Sequence, residues 1–319
     1  MKKNFLSTLT ILFISINILP SQHIPAAEEN IDYLITFGKF SPADWGDDDH
    51  CQIFFLMLPE DHKNPFFIRI FDPDVCGLHD EERGTFDTKV KFSIYGGAGA
   101  YSNPAAQHVD PLPGYESGIS LAGKTFGPDM QYDGKWYSFG PFNPMEGEQT
   151  TIGDKKVNVF KIIAAGIAGD DGNLYTYFAS TAIDQNHAVP GATSFTYEYS
   201  FRMPDGQSHI YPFVDGDVES IKFTNFDFDA DCIVKLISVA RTGEFMRVSG
   251  DGDWVSSQHF IHEQERGNSL DIQINSLAKK RNNNVVVYIT NQYDKFLPFY
   301  NVPIGNFRPA TQISVSRSK

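Results

Sequence analysis

Asp133-Gly134-Lys135-Trp136-Tyr137-Ser138 and Asp251-Gly252-Asp253-Trp254-Val255-Ser256 carry one pattern, Asp-Gly-x-Trp-x-Ser, and each reaches a phenylalanine at the same distance, Phe142 and Phe260. An earlier pair of segments keeps the same order. Ile68-Arg69-Ile70 leads into Phe71-Asp72-Pro73-Asp74 and then Cys76, while Ile221-Lys222-Phe223 leads into Phe226-Asp227-Phe228-Asp229 and then Cys232. A later pair does the same. Val159–Ser180 and Leu270–Asn291 each place a polar turn between two apolar segments, with Tyr177 falling on Tyr288. Three matches in one order point to an internal repeat of a single domain. The expected copies are residues 28–188 and 191–308, joined at Ala188-Val189-Pro190-Gly191, with 309–319 as a C-terminal tail.

The local pattern is β nearly throughout. Val90-Lys91-Phe92-Ser93-Ile94 and Phe195-Thr196-Tyr197-Glu198-Tyr199 alternate or are rich in strand formers, and Val285-Val286-Val287-Tyr288-Ile289 suits a buried strand. Gly, Asp, Asn and Pro recur at roughly ten-residue intervals, the spacing of sandwiches and jelly rolls. The predicted fold is all-β: two tandem β-sandwich domains of jelly-roll or Greek-key type. Gln264–Leu277 is the best helix candidate, but the repeat places Leu270–Ile274 on a strand. The path from Asp74 to Trp136 is much longer than that from Asp229 to Trp254. The first copy therefore carries an insertion, about 96–129, and long insertions on sandwiches are where binding concentrates.

The chain has 319 residues, 14% aromatic, with 26 Lys and Arg against 40 Asp and Glu. A net charge of −14 is the opposite of a nucleic-acid binder's balance. Lys2 and Lys3 precede an apolar run from Phe5 to Leu19, and Ala26-Ala27 precede Glu28-Glu29. That is a secretory signal peptide, expected to span 1–27 with the cut near Ala26 or Ala27. The run is shorter than a membrane span of about 20 residues. The expected destination is the periplasm, the cell surface or the medium, with no transmembrane segment left after the cut. Export permits disulfides. If Cys51–Leu58 and Phe66–Phe71 form a hairpin, Cys51 and Cys76 come close enough to bridge, leaving Cys232 buried.

Phe71-Asp72-Pro73-Asp74, Tyr95-Gly96-Gly97-Ala98-Gly99-Ala100-Tyr101-Ser102 and Gly169-Asp170-Asp171-Gly172-Asn173-Leu174-Tyr175 resemble segments of exported bacterial tandem β-sandwich proteins. Some of those resemble OmpA-type envelope proteins with an added peptidoglycan-binding domain. The resemblance implies an envelope setting and no particular activity.

Ca²⁺ takes six to eight oxygen ligands, mostly carboxylates and carbonyls. Asp72 with Asp74, Asp170 with Asp171, and Asp227 with Asp229 and Asp231 are the candidate ligands; turn aspartates also simply cap their own backbone. Trp136 and Trp254 occupy equivalent places and are expected to plug the two cores. Trp45, Tyr101 and Tyr115 are unrepeated and form the candidate ligand-binding set. Catalytic signatures are poor: there is no Gly-x-Ser-x-Gly elbow, and His259-Phe260-Ile261-His262-Glu263 does not have the spacing of a strand-borne zinc site. The leading expectation is a non-catalytic exported binding or adhesion protein, calcium-stabilised, recognising a glycan or an envelope protein. A secreted polysaccharide hydrolase and a structural envelope subunit are the alternatives.

Overall fold

The computed structural model describes residues 23–43, 50–277 and 283–306. It is all-β and antiparallel, with only short 3₁₀ turns between strands. In the first half the strands are β1 (His23–Ile24), β2 (Leu34–Phe37), β3 (Cys51–Pro59), β4 (Phe66–Phe71), β5 (Lys89–Gly96), β6 (Ile119–Phe126), β7 (Trp136–Phe142), β8 (Glu148–Ile152), β9 (Lys155–Ala168), β10 (Gly172–Ser180) and β11 (Thr193–Thr196). The second half holds β12 (Glu198–Arg202), β13 (Gln207–Ile210), β14 (Phe213–Val214), β15 (Ser220–Phe226), β16 (Cys232–Ile237), β17 (Glu244–Met246), β18 (Trp254–Phe260), β19 (Asn268–Ser269), β20 (Asp271–Ser276), β21 (Asn284–Asn291) and β22 (Phe299–Tyr300).

One long sheet runs β18-β15-β21-β12-β2-β10-β4-β7. Its centre is the pairing of β2 with β12, at Leu34 opposite Phe201. Outward from that centre the order is β2-β10-β4-β7 on one side and β12-β21-β15-β18 on the other. Two further sheets stack on its halves, β3-β9-β5-β6 with β11 and β22 added, and β13-β20-β16-β17. The main apolar core lies between these layers and is continuous through both halves: Phe54, Phe92 and Tyr177 belong to the same cluster as Phe223, Ile272 and Val287.

Strand β3 shows why the sequence there is apolar without alternation. Phe54, Leu56 and Leu58 face the main core, while Ile53 and Phe55 face a second cluster on the outer side of the sheet. Ala100, Ala106 and Val109 cover that side, together with Phe195 and Tyr300. A strand buried on both faces reads as a continuous apolar run. The inserted segment is thus a second layer of core, and it is shorter than expected, because Ile119–Phe126 is the edge strand β6 paired with β5.

Several expectations are corrected. Strands β3 and β4 do not form a hairpin: β3 pairs with β9 and β11, and β4 with β10 and β7, in different sheets. Cys51 and Cys76 are consequently unbridged, and all three cysteines are buried and outside any disulfide. Burial pushes the Cys76 and Cys232 thiols up to about 12, so neither is a reactive thiolate at neutral pH. Neither tryptophan plugs a core. Trp136 and Trp254 open the edge strands β7 and β18 and stay partly exposed, Trp136 beneath the Arg69 guanidinium at 5.0 Å and Trp254 against Phe226.

Residues 1–22 of the expected signal peptide lie outside the described residues. The segment after them is folded: His23 pairs with Phe178 and Ile24 with Tyr177, and Ile24 and Ala26 are buried. The expected cut at Ala26 or Ala27 falls inside this segment. No helix among the described residues is long and apolar enough to cross a membrane.

Candidate functional site: an aromatic crevice between the halves

Strands β11 and β22 lengthen the first half's second sheet past the central β2–β12 seam. The β8–β9 turn and residues 294–298 supply further walls. Between them opens a crevice of about 1880 Å³, well beyond the usual 300–1,000 Å³ of a small-molecule pocket. Tyr101, Tyr197, Phe213, Tyr288, Phe296 and Tyr300 supply its rings. They are locked to one another edge to face: Phe213 on Tyr300 at 6.0 Å, Phe296 on Tyr288 at 5.7 Å, and His108 on Phe296 at 5.0 Å. Such pairs hold ring orientation beyond what burial alone supplies.

The rim is charged with both signs, through Asp61, Asp154 and Lys155 from the first half and Asp217, Asp294 and Lys295 from the second. Asp215 lies deeper. Burial first and Asp217 second hold its carboxyl above the usual carboxylate range. Its charge acts on Tyr101, Tyr197 and Tyr300 together, which places one carboxyl beside three phenols. Rings that offer flat faces, with carboxylates, ammonium groups and phenols around them, suit a long ligand with apolar faces and many hydroxyl groups.

Two buried charges hold the inserted segment in place. Lys161, with no exposed surface, donates to the carbonyls of Tyr115 and Ser117. Glu148 accepts the amides of Tyr101 and Ser102. This fixes where each predicted ligand-binding residue ends up. Tyr101 lines the crevice. Tyr115 packs against the outer core instead. Trp45 lies outside the described residues.

The predicted metal ligands separate in the same way. Both oxygens of Asp72 are taken, one by the Gly134 amide at 2.7 Å and the other by His79 Nδ1 at 2.9 Å. Asp74 accepts the Cys76 thiol at 2.9 Å, and burial raises its carboxyl to about 6. Asp171 accepts three backbone amides, from Arg83, Asp87 and Thr88, so it ties a loop down. Two groups of carboxylates gather within 4.8 Å: Asp170 and Asp171 with Asp87, and Asp227 and Asp229 with Asp251. Asp72, Asp74 and Asp231 belong to neither group.

Sequence reading missed Asp87 and Asp251, as well as most of the crevice. Asp251 was legible in principle, since it opens the repeated Asp-Gly-x-Trp motif. The crevice was not, because its rings come from six separate strands and loops. Compared with protein-family models and with curated proteins, the chain matches none.

Proposed function

We propose that the protein is an exported binding protein whose crevice between the halves holds a glycan chain without cleaving it. The observation that carries this reading is the crevice itself: six rings on its walls, both signs of charge at its rim, and room for several sugar units. Stacking supplies affinity for the flat face of a pyranose, and the polar rim reads its hydroxyl groups. An extended peptide is the competing ligand. Isothermal titration of the mature chain against envelope and host glycans, beside unrelated peptides, decides between them. Glycan binding weakened at least tenfold by Phe296→Ala and by Tyr288→Ala, with melting temperature unchanged, supports the reading. Binding of peptides alone overturns it, and turnover of the bound glycan would establish the hydrolase alternative, with Asp215 as its first candidate acid.

We also propose that the halves are two copies of one eight-stranded jelly roll. The matched strand orders on either side of the β2–β12 seam support this, as does the matched chain order of β2, β3, β4, β5, β6, β7, β9, β10 with β12, β13, β15, β16, β17, β18, β20, β21. Calcium stabilisation stays part of the proposal, with its site in the second copy. Asp227, Asp229 and Asp251 gather there, whereas Asp171 in the first copy is committed to backbone amides. For export, a cut ahead of His23 keeps strand β1, and a cut at Ala26 or Ala27 discards it. The mass of the mature chain distinguishes the two.

A further inference from the structure

Ser257 and His259 stand two residues apart on β18, so both side chains leave the strand on one face. Glu244, the first residue of β17, closes against them. His259 Nδ1 is 2.5 Å from Glu244 Oε1, and His259 Nε2 is 3.0 Å from Ser257 Oγ. A carboxylate only accepts, so the proton belongs on Nδ1 and the lone pair on Nε2. The Ser257 hydroxyl then donates to Nε2. The Arg247 amide donates to Ser257 Oγ at 3.3 Å, through a lone pair that does not compete for that proton. Every hydrogen bond in the chain runs the way a serine nucleophile with a histidine base requires.

The acid is held from behind. The second oxygen of Glu244 pairs with Arg241, and the Arg241 guanidinium is gripped by fully buried Glu265, Nε to Oε1 at 2.9 Å. Burial pushes Glu244 up, but the hydrogen bond from His259 and the charge of Arg241 more than reverse this and keep it ionised. His259 is buried, while Ser257 keeps partial access to solvent. Strand β18 ends its sheet. The bonds Asp227 N to Asp253 O and Ile261 N to Glu219 O show that odd-numbered residues of β18 bond to β15. The alternation of an antiparallel ladder then turns the Gln258 amide to the open edge. An unspent N–H next to the nucleophile is what a developing oxyanion needs.

We propose that Ser257, His259 and Glu244 form a nucleophilic triad that hydrolyses short-chain acyl esters. None of the three lines the crevice, so this activity is separate from glycan binding. The serine lies at a sheet edge, which suits an acetyl-sized acyl group. Ser257 Oγ bonds to the ester carbon as its proton moves to His259 Nε2 and the carbonyl pair moves onto oxygen. Collapse breaks the bond to the alcohol oxygen, which takes the proton from His259. Water then attacks the acyl-serine, its proton passing through His259 back to Ser257 Oγ, and the acid is released.

The test is reaction of the mature chain with a fluorophosphonate, in which an Oγ–P bond forms and fluoride leaves, with 4-nitrophenyl acetate hydrolysis measured in parallel. The expected result is one adduct, located on Ser257 by mass spectrometry, and absent in Ser257→Ala. His259→Gln should slow labelling and hydrolysis about 100-fold, the usual scale of a lost general base. Ser257→Ala removes one oxygen, and its melting curve shows directly that it folds. A folded wild type that takes no label, or equal labelling of Ser257→Ala, overturns the proposal.

Discussion

Asp72 and Asp227 make the same hydrogen bond in the two halves, each accepting from the glycine two residues before a tryptophan, Gly134 or Gly252, at 2.7 Å. Both also take left-handed φ angles, 56° and 55°, where the chain leaves β4 or β15. Aspartate tolerates that conformation better than most residues, and its side chain then reaches the neighbouring loop. Removing either carboxylate leaves a glycine amide without its acceptor. Asp72→Ala and Asp227→Ala should each cost about 2 kcal/mol. Asp72→Asn and Asp227→Asn keep an acceptor and should cost less than half of that. Urea unfolding of the four variants checks the order, and equal losses for Ala and Asn would refute the role of the hydrogen bond.

Lys161 predicts how the inserted segment responds to pH. Burial pulls its ammonium down to about 8 from an ordinary 10.5, against the opposing pull of Glu116 and Glu148. Between those values the unfolded chain holds the proton more tightly than the folded chain. Stability contributed by this lysine therefore rises with pH from about 8 to 10.5, and below 8 the full cost of burying the charge is present. The difference in melting temperature between wild type and Lys161→Met should move in favour of wild type across that window. Lys161→Met also strands the Tyr115 and Ser117 carbonyls, so proteolysis within 97–118 should accelerate.

The β class and the paired Asp-Gly-x-Trp segments were legible because they depend on local alternation and turn chemistry. Register was less so. With Phe71 opposite Trp136 and Phe226 opposite Trp254 as fixed points, Tyr177 pairs with Ile70 and Val287 with Asn225. Val287, not Tyr288, therefore matches Tyr177, and a one-residue slip exchanges the faces of a strand. That slip hid the fact that Tyr288 points into the crevice. The failed Cys51–Cys76 bridge has a related cause. Two apolar runs divided by a proline-flanked turn look like a hairpin, but here the chain crosses from one sheet to the other, which no local signal records. The triad was equally invisible, since His259 was weighed against His262 along the chain rather than against Glu244 across the sandwich.

Calcium addition should raise the melting temperature of the mature chain, and chelator should reverse the rise, because a ligand confined to the folded state stabilises it. Asp229→Asn and Asp251→Asn should each remove the shift, since both belong to the second half's carboxylate group. Asp72→Asn should leave it intact, both Asp72 oxygens being committed to His79 and Gly134. No calcium shift in the wild type would end the metal reading.

Glu29 gives a pH dependence of opposite sign. Its carboxyl has no exposed surface and accepts the Ala26 amide at 2.6 Å and the Tyr199 hydroxyl at 2.7 Å. Burial raises it to about 8 from 4.5, further than those two hydrogen bonds can pull it back. Between 4.5 and 8 the folded chain binds the proton more tightly than the unfolded chain. The stability Glu29 contributes is complete below 4.5 and is lost as pH rises through 8. Glu29→Gln keeps an acceptor for the Ala26 amide and carries no charge at any pH. Its melting temperature should fall less than that of wild type between pH 5 and 8, and should exceed it at pH 8. The same experiment bears on maturation, because a chain beginning after Ala26 has lost the amide that holds Glu29 Oε2. Such a chain should show a steeper loss of stability with pH than one that begins ahead of His23, and parallel curves for the two would show that the Ala26 amide does not set the charge state of Glu29.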